Sequence, residues 1–160
     1  MEDWRKIDID SLDSSTRNKR LTQDSILNNF IEKGIIHTYS SEELNNLIGE
    51  LSGRIGKNDF SSSLLDIVVK YPVYASQDPE LKLKYLQLVN NCLVNLKDID
   101  SIMKQLSQDD ADVLLKYCYK IMSLKQFQAN GQLIINWVDK IIIKYGQGAV
   151  LRYITDRKTI

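Results

Sequence analysis

The sequence predicts an all-α protein. Its 160 residues include only seven glycines and two prolines, too few for the many tight turns of a β-sandwich or barrel. From Ser40 onward, apolar residues recur at helical spacing, and capping residues mark the start of each segment. We therefore expect a compact array of six or seven short antiparallel helices, forming a bundle or an α-α superhelix, after an extended N-terminal segment.

The first 38 residues differ from the rest in their pattern of apolar and polar residues. Ile7-Asp8-Ile9-Asp10 alternates apolar and acidic side chains, which is typical of an extended segment lying on another surface. A short helical turn is expected near Ser25 to Phe30. A disordered tail is the alternative, but Trp4 followed by an Ile-x-Ile pair exceeds what solubility requires. We expect residues 1–38 to be an extended partner-binding segment and residues 39–160 to be a helical domain.

Recognisable caps predict the first two helices of that domain. Ser40 and Glu43 form a capping box that starts the first helix. The apolar stripe of this helix comprises Leu44, Leu47, Ile48, Leu51 and Ile55. A second helix starts at Asn58 or Asp59 and ends at the residue before Pro72, because proline disfavours the α conformation in its predecessor.

A third helix starts where Asp78 precedes Pro79, since Asp is a good N-cap and Pro suits the first helical position. Its apolar stripe continues to about Leu96. Asp98 or Asp100 starts a short fourth helix.

The last three helices follow through short links. Ser107 with Asp110 starts a fifth helix. The sixth, Gln132 to Lys144, is so apolar around its circumference that we expect burial on more than one side, and Gly146 ends it. The seventh, Gly148 to Thr155, precedes polar residues that look exposed.

The charge balance argues against two classes of partner. The chain carries 21 basic and 21 acidic side chains, whereas binding to nucleic acid or an anionic membrane requires an excess of Lys and Arg on one face. No apolar run is long enough to span a bilayer, and no signal segment opens the sequence. We expect a cytoplasmic protein whose Cys92 and Cys118 are reduced.

Few residues are suited to catalysis. His37 is the only histidine, so it is expected to be a surface or capping residue and not part of a metal site. Cys92 and Cys118 lie on apolar stripes, where Cys acts as a small hydrophobe. The carboxylates of Asp109, Asp110 and Asp112 start a helix and complement its dipole. We expect no catalytic, cofactor or metal site.

Two glycine-containing stretches resemble nucleotide-binding loops only in part. Gly53 to Asn58 lacks the Ser or Thr of a phosphate loop and follows a helix, so a helix end is expected there. Ile141 to Gly148 lacks the third glycine of a dinucleotide-binding turn.

Aromatic residues are concentrated in the last third of the chain: Tyr117, Tyr119, Trp137, Tyr145 and Tyr153. At helical spacing such residues usually belong to the core, although Tyr and Trp are also common anchors of interfaces. Tyr119 lies between Lys116 and Lys120 in the same helix. We expect its side chain to face away from the core and to contact a partner.

Three stretches resemble one family, subunit 5 of the actin-related protein 2/3 complex. Residues 4–10 resemble the family's aromatic-Arg-Lys-aliphatic-Asp-aliphatic-Asp opening, and residues 112–120 its Lys-Tyr-x-Tyr-Lys helix. Residues 148–160 are similar to its Arg-Lys-Thr-aliphatic terminus, and Trp137 stands between them. Ile121 occupies a position where the family is expected to have Gly, so we expect this helix to continue one turn further.

The resemblance implies a non-catalytic structural subunit of the complex that nucleates branched actin filaments. The N-terminal segment would reach the actin-related protein 2 subunit, helping to hold it, and the β-propeller subunit, while the helical domain docks on a neighbouring core subunit. The chain would be part of an obligate hetero-oligomer at the actin cytoskeleton and would need no cofactor. The expected partner-binding residues are Trp4, Arg5, Ile7, Ile9, Tyr119, Tyr153, Arg157 and Lys158.

The residues alone leave a second function open. A free-standing helical adaptor that binds peptides or helices in a groove would have the same composition and helical pattern.

Overall fold

The chain divides into two units, residues 1–35 and 36–160. A computed structural model describes residues 23–74, 78–156, 158 and 160. In the first unit, helix α1 spans Gln23–Glu32, so it is longer than the turn predicted around Ser25 to Phe30. The N–H groups of Gly34 and Ile35 close its end by donating to the carbonyls of Ile31 and Phe30. Gly34 adopts φ +66° there, a left-handed conformation that favours glycine.

Within the described residues, the second unit contains seven α-helices, one 3₁₀ helix and no strand. In chain order they are α2 (Ser41–Ile55), α3 (Phe60–Val69), α4 (Pro79–Asn95), α5 (Ile99–Gln105), α6 (Gln108–Ser123), the 3₁₀ helix (Lys125–Asn130), α7 (Gly131–Tyr145) and α8 (Gly148–Thr155). The prediction of an all-α fold is confirmed. Helix α6 ends at Ser123, two residues past Ile121.

The predicted caps are present at the helix starts. Ser40 Oγ accepts a hydrogen bond from the N–H of Glu43, and the Glu43 carboxylate accepts one from the N–H of Ser40. Ser107 and Asp110 form the same reciprocal pair at the start of α6. Asp78 caps α4. Each cap supplies acceptors for backbone N–H groups that have no partner within the helix.

Gly53 to Asn58 forms a helix end, as predicted. Helix α2 ends at Ile55, and the N–H of Gly56 donates to Ser52 O at 2.9 Å. Arg54 donates to the Asp66 carboxylate and so links α2 to α3.

Helices α4 and α6 lie at the centre of the second unit. Helix α4 packs against α2, α3, α6 and α7, and α6 packs against α3, α4, α7 and α8. The apolar residues that α6 buries are Ala111, Leu114, Leu115, Tyr117, Cys118 and Ile121. Helix α6 therefore joins the core residues of α3, α4, α7 and α8.

Two buried tyrosines hold the segment that follows α3. The hydroxyl of Tyr117 accepts a hydrogen bond from the N–H of Val73 at 2.9 Å. The hydroxyl of Tyr85 donates to the carbonyl of Tyr71 at 2.8 Å. Burial raises the pKa of both phenols, so they remain neutral. Their hydroxyls form hydrogen bonds with backbone groups of a segment that lies outside any helix.

Trp137 ties α7 to α4. Its indole is almost completely buried, and Nε1 donates to the carbonyl of Leu93 at 3.0 Å. The bond satisfies the polar atom of a large core side chain, which is the usual condition for burying tryptophan.

Helix α7 is buried on one face only, so the expectation of burial on more than one side is wrong. Ile134, Trp137, Val138 and Ile141 are buried, whereas Leu133, Ile135 and Ile143 are exposed. The apolar pattern of the sequence indicated that few polar residues lie around this helix. It did not indicate whether other parts of this chain cover all of its apolar side chains.

Residues after α8 looked exposed from their polarity, and this expectation is also wrong in part. Ile160 is 6% exposed and belongs to the core cluster. Asp156 forms an ion pair with Lys116 of α6.

The segment after α3 gives a test of this packing. Tyr117→Phe keeps the ring but removes the acceptor of a buried N–H, so we expect a loss of about 1–3 kcal/mol in the free energy of unfolding. Tyr119→Phe is the matched control, because Tyr119 is half-buried and its hydroxyl has no hydrogen-bond partner among the described residues; it should change stability by less than about 0.5 kcal/mol. Urea unfolding measures both. Equal losses would contradict a structural role for the Tyr117 hydroxyl.

Candidate interaction surface

The predicted partner-binding residues fall into two groups. Those that lie outside the described residues are Trp4, Arg5, Ile7, Ile9 and Arg157. Tyr119, Tyr153 and Lys158 are described, and they belong to the part of the molecule formed by α6, α8 and the residues after α8.

Tyr119 of α6 and Tyr153 of α8 stack on each other. Their ring centroids are 4.5 Å apart and their planes differ by 24°. Both side chains are half-buried and pack against the core. The flanking lysines had suggested that Tyr119 faces away from the core, but its ring is partly buried against the core. The Tyr119–Tyr153 pair keeps part of its surface accessible.

A bidentate ion pair fixes α8 against α6. Arg152 Nε donates to one carboxylate oxygen of Asp112 at 2.5 Å, and Nη2 donates to the other at 2.9 Å. Two parallel bonds between planar groups fix orientation as well as distance. Asp112 therefore positions α8, whereas Asp109 and Asp110 lie in the first turn of α6 and complement its dipole.

A second ion pair lies deeper. Lys116 is only 6% exposed, and its Nζ donates to Asp156 Oδ2 at 2.5 Å. The N–H of Lys158 donates to the other oxygen of Asp156 at 2.9 Å. Burial alone would raise the pKa of Asp156, but these two hydrogen bonds outweigh it and hold the pKa below its ordinary value.

A polar cleft of about 370 Å³ opens beside this pair. Its walls include Tyr74, Lys116, Asp156 and Lys158. Burial raises the pKa of Tyr74 to about 12, with a smaller contribution from Asp156, so Tyr74 stays a neutral phenol. Lys116 Nζ lies 5.3 Å from the centroid of that ring. Within the cleft, the charges of Lys116 and Asp156 are thus engaged with each other.

The outer faces of α7 and α8 carry large apolar side chains in contact with solvent. Ile143 of α7 is 79% exposed, and Leu151 and Ile154 of α8 are 64% and 68% exposed. The two helices pack against each other. Clusters of exposed apolar side chains mark sites of protein contact more often than sites of chemistry.

Residues considered for catalysis occupy unsuitable positions. Cys92 and Cys118 are buried free thiols, and burial raises the pKa of each to about 12, so neither forms a thiolate at neutral pH. His37 is exposed, as predicted, and meets the ring of Tyr39 edge-on at 4.6 Å. No cluster of metal-ligating side chains is found in the described part of the chain.

None of the helices in the described ranges is long and apolar enough to cross a membrane.

Comparison with known proteins decides the family. The sequence model of the ARP2/3 complex 16 kDa subunit (p16-Arc) matches residues 3–160. The chain belongs to this family. The match covers both chain ends and the helices between them, so the resemblance seen in three short stretches extends over nearly the whole sequence.

Individual members of the p16-Arc family align over different lengths. Actin-related protein 2/3 complex subunit 5 of Saccharomyces cerevisiae is 31% identical over 160 residues, covering 99% of this chain and 98% of the yeast protein. A human subunit 5-like protein is 23% identical over 159 residues, covering 98% and 94%. A probable subunit 5 of Caenorhabditis elegans is 29% identical over 98 residues, covering 60% and 67%.

Two ion pairs that shape this part of the family member, Lys116–Asp156 and Arg152–Asp112, were not found from sequence. Asp156 and Lys116 are 40 residues apart, as are Asp112 and Arg152. No local spacing rule connects positions so distant. The one available signal was Lys116 itself, because a lysine at a buried position of a helix requires a carboxylate.

The buried ion pair predicts a pH-dependent loss of stability. Asp156→Asn leaves Lys116 without its counter-charge, and we expect a loss of about 1–3 kcal/mol at neutral pH. Because the pKa of Asp156 is lower in the folded state, its contribution to the free energy of unfolding is complete at pH values above the pKa that Asp156 has in the unfolded chain. It disappears as the pH falls through the folded-state pKa.

Urea unfolding of the wild type and Asp156→Asn at neutral and acidic pH measures this effect, and the difference should shrink on acidification. Asp139→Asn is the control, because Asp139 is exposed and has no ion pair among the described residues. A difference that stays constant with pH would contradict the assignment.

Proposed function

We propose that this chain is a non-catalytic structural subunit of the ARP2/3 complex and helps to hold the actin-related protein 2 subunit in the assembly that nucleates branched actin filaments. The family match over residues 3–160 carries this proposal. The exposed apolar faces of α7 and α8 support it, because a permanent subunit requires contact surfaces of its own.

The helical domain, residues 39–160, docks on a neighbouring core subunit. Leu151 and Ile154 support this assignment, since their exposure costs free energy unless another surface covers them. Tyr119 and Tyr153 supply a rigid aromatic pair beside them, and stacked rings lose little conformational entropy on binding. The charged residues that follow α8, Arg157 and Lys158, complete this contact.

The segment 1–38 binds the actin-related protein 2 subunit and the β-propeller subunit. Its anchors are Trp4, Arg5, Ile7 and Ile9. Aromatic and aliphatic side chains alternating with charged ones suit a strand-like segment that lies in a groove of a partner.

The contribution of this chain to nucleation is geometric. It keeps actin-like subunits in position, forms no covalent bond with a substrate and needs no cofactor. The ATP of the complex belongs to the actin-like subunits. The place of action is the cytoplasmic actin cytoskeleton.

Native purification of the tagged chain from its own cells tests the assignment. We expect two actin-like chains, a β-propeller chain and the other small subunits to co-elute in equal amounts. Recovery of the chain alone, or with partners in variable substoichiometric amounts, would contradict the proposal and favour a free-standing adaptor.

Removal of residues 1–12 tests the tethering role. We expect the shortened chain, and to a smaller degree Trp4→Ala, to retain less actin-related protein 2 subunit in the purified complex, while the circular dichroism of the helical domain is unchanged. Quantitative mass spectrometry of the complex measures the ratio. An unaltered ratio after the deletion would rule out tethering by this segment.

The outer face of α8 gives a separate test of docking. Ile154→Asp places a charge where an apolar contact is proposed, so incorporation into the complex should fall at least tenfold when tagged wild-type and variant chains compete. Asn46→Asp is the control, because Asn46 is exposed on α2 and does not line the cleft formed by Lys116, Asp156 and Lys158. Equal incorporation of both variants would place the docking surface elsewhere.

A further inference from the structure

A second cleft lies between α5 and α7, away from the tyrosine pair. It encloses about 500 Å³ and is lined by Asp100, Met103, Lys104, Lys140, Ile143 and Lys144. Three of these residues come from each helix. The cleft is therefore framed by rigid elements, which is the usual setting of a defined binding site.

The apolar part of the cleft is open to solvent at one side. Met103 is buried and forms part of the lining, whereas Ile143 is 79% exposed. An aliphatic side chain entering the cleft would contact both residues and remove Ile143 from water.

The charges of the cleft are unbalanced. Lys140 Nζ pairs with both oxygens of Asp100, at 2.8 and 3.0 Å. Lys144 Nζ donates to the neutral carbonyls of Met103 and Leu106, so its positive charge has no counter-ion in the described chain.

Lys104 adds a further positive charge. It is exposed and forms no ion pair with any described residue. Three lysines therefore line the cleft against one carboxylate. Such a site attracts acidic groups and repels basic ones.

We propose that this cleft receives an acidic, apolar-anchored segment of another subunit. One aliphatic or aromatic side chain of that segment covers Ile143, and its Asp or Glu side chains pair with Lys104 and Lys144. A free anion would satisfy the lysines but would leave Ile143 exposed, which is why a protein segment fits better. This inference rests on the proposed membership of the complex and adds the chemistry of one contact.

Zero-length cross-linking of the purified native complex tests the proposal. A carbodiimide joins a lysine amine to a carboxylate only when the two are in direct contact. We expect a cross-link from Lys104 to an Asp or Glu of a different subunit. Lys104→Arg is the matched variant, because it keeps the charge but lacks the amine; it should enter the complex normally and lose this cross-link.

Incorporation measured in competition with the wild type completes the test. Lys104→Glu should enter the complex at least fivefold less well, with a smaller deficit at high salt, and Ile143→Asp should enter at least tenfold less well. Lys125→Glu is the control, since Lys125 is exposed on the 3₁₀ helix and does not line the cleft. Circular dichroism checks that each variant is folded.

The outcomes separate the two proposals. A chain that purifies without other subunits would overturn the proposed function and this inference together. A chain that enters the complex, with Lys104 cross-linked to no other subunit and Lys104→Glu incorporated as well as Lys125→Glu, would overturn this inference alone.

Discussion

Burial of one face of α6 is the constraint on which the rest of the second unit depends. This helix packs against α3, α4, α7 and α8, and each of those helices covers part of its apolar face. The hydroxyl of Tyr117 and the amine of Lys116 lie on the buried side, so both need polar partners from elsewhere in the chain. Val73 and Asp156 provide them, which fixes the paths of the segments after α3 and after α8.

The same constraint determines which surfaces remain free. Helix α6 packs against α7 and α8, and on the opposite faces of these two helices large apolar side chains are exposed in the described part of the chain. Ile143, Leu151 and Ile154 are exposed, although polar side chains would suit positions in contact with water. Membership of the p16-Arc family supplies a reason, because a subunit of an assembly is selected with its neighbours in place.

Much of the fold was predictable because its signals are local. Capping residues, the pair Asp78-Pro79 and helical periodicity located α2 to α8 to within a few residues. The 3₁₀ helix was not predicted, since it buries little beyond Phe127 and has no 3.6-residue period. The candidate surface was predicted only in part. Tyr119 and Tyr153 were identified singly, but their stacking depends on tertiary packing that spacing does not encode.

The three hydrogen bonds made by Lys116, Tyr117 and Trp137 span 40 or 44 residues of sequence. A ribosome synthesises the chain from its N-terminus, so α4 emerges long before Trp137, which donates a hydrogen bond to the carbonyl of Leu93 in α4. Helices α2, α3 and α4 contact one another locally and can associate early. The amine of Lys116 acquires its ion-pair partner only when Asp156 has been synthesised. The core around Lys116 and Trp137 is thus completed only after α8 and Asp156 have been synthesised.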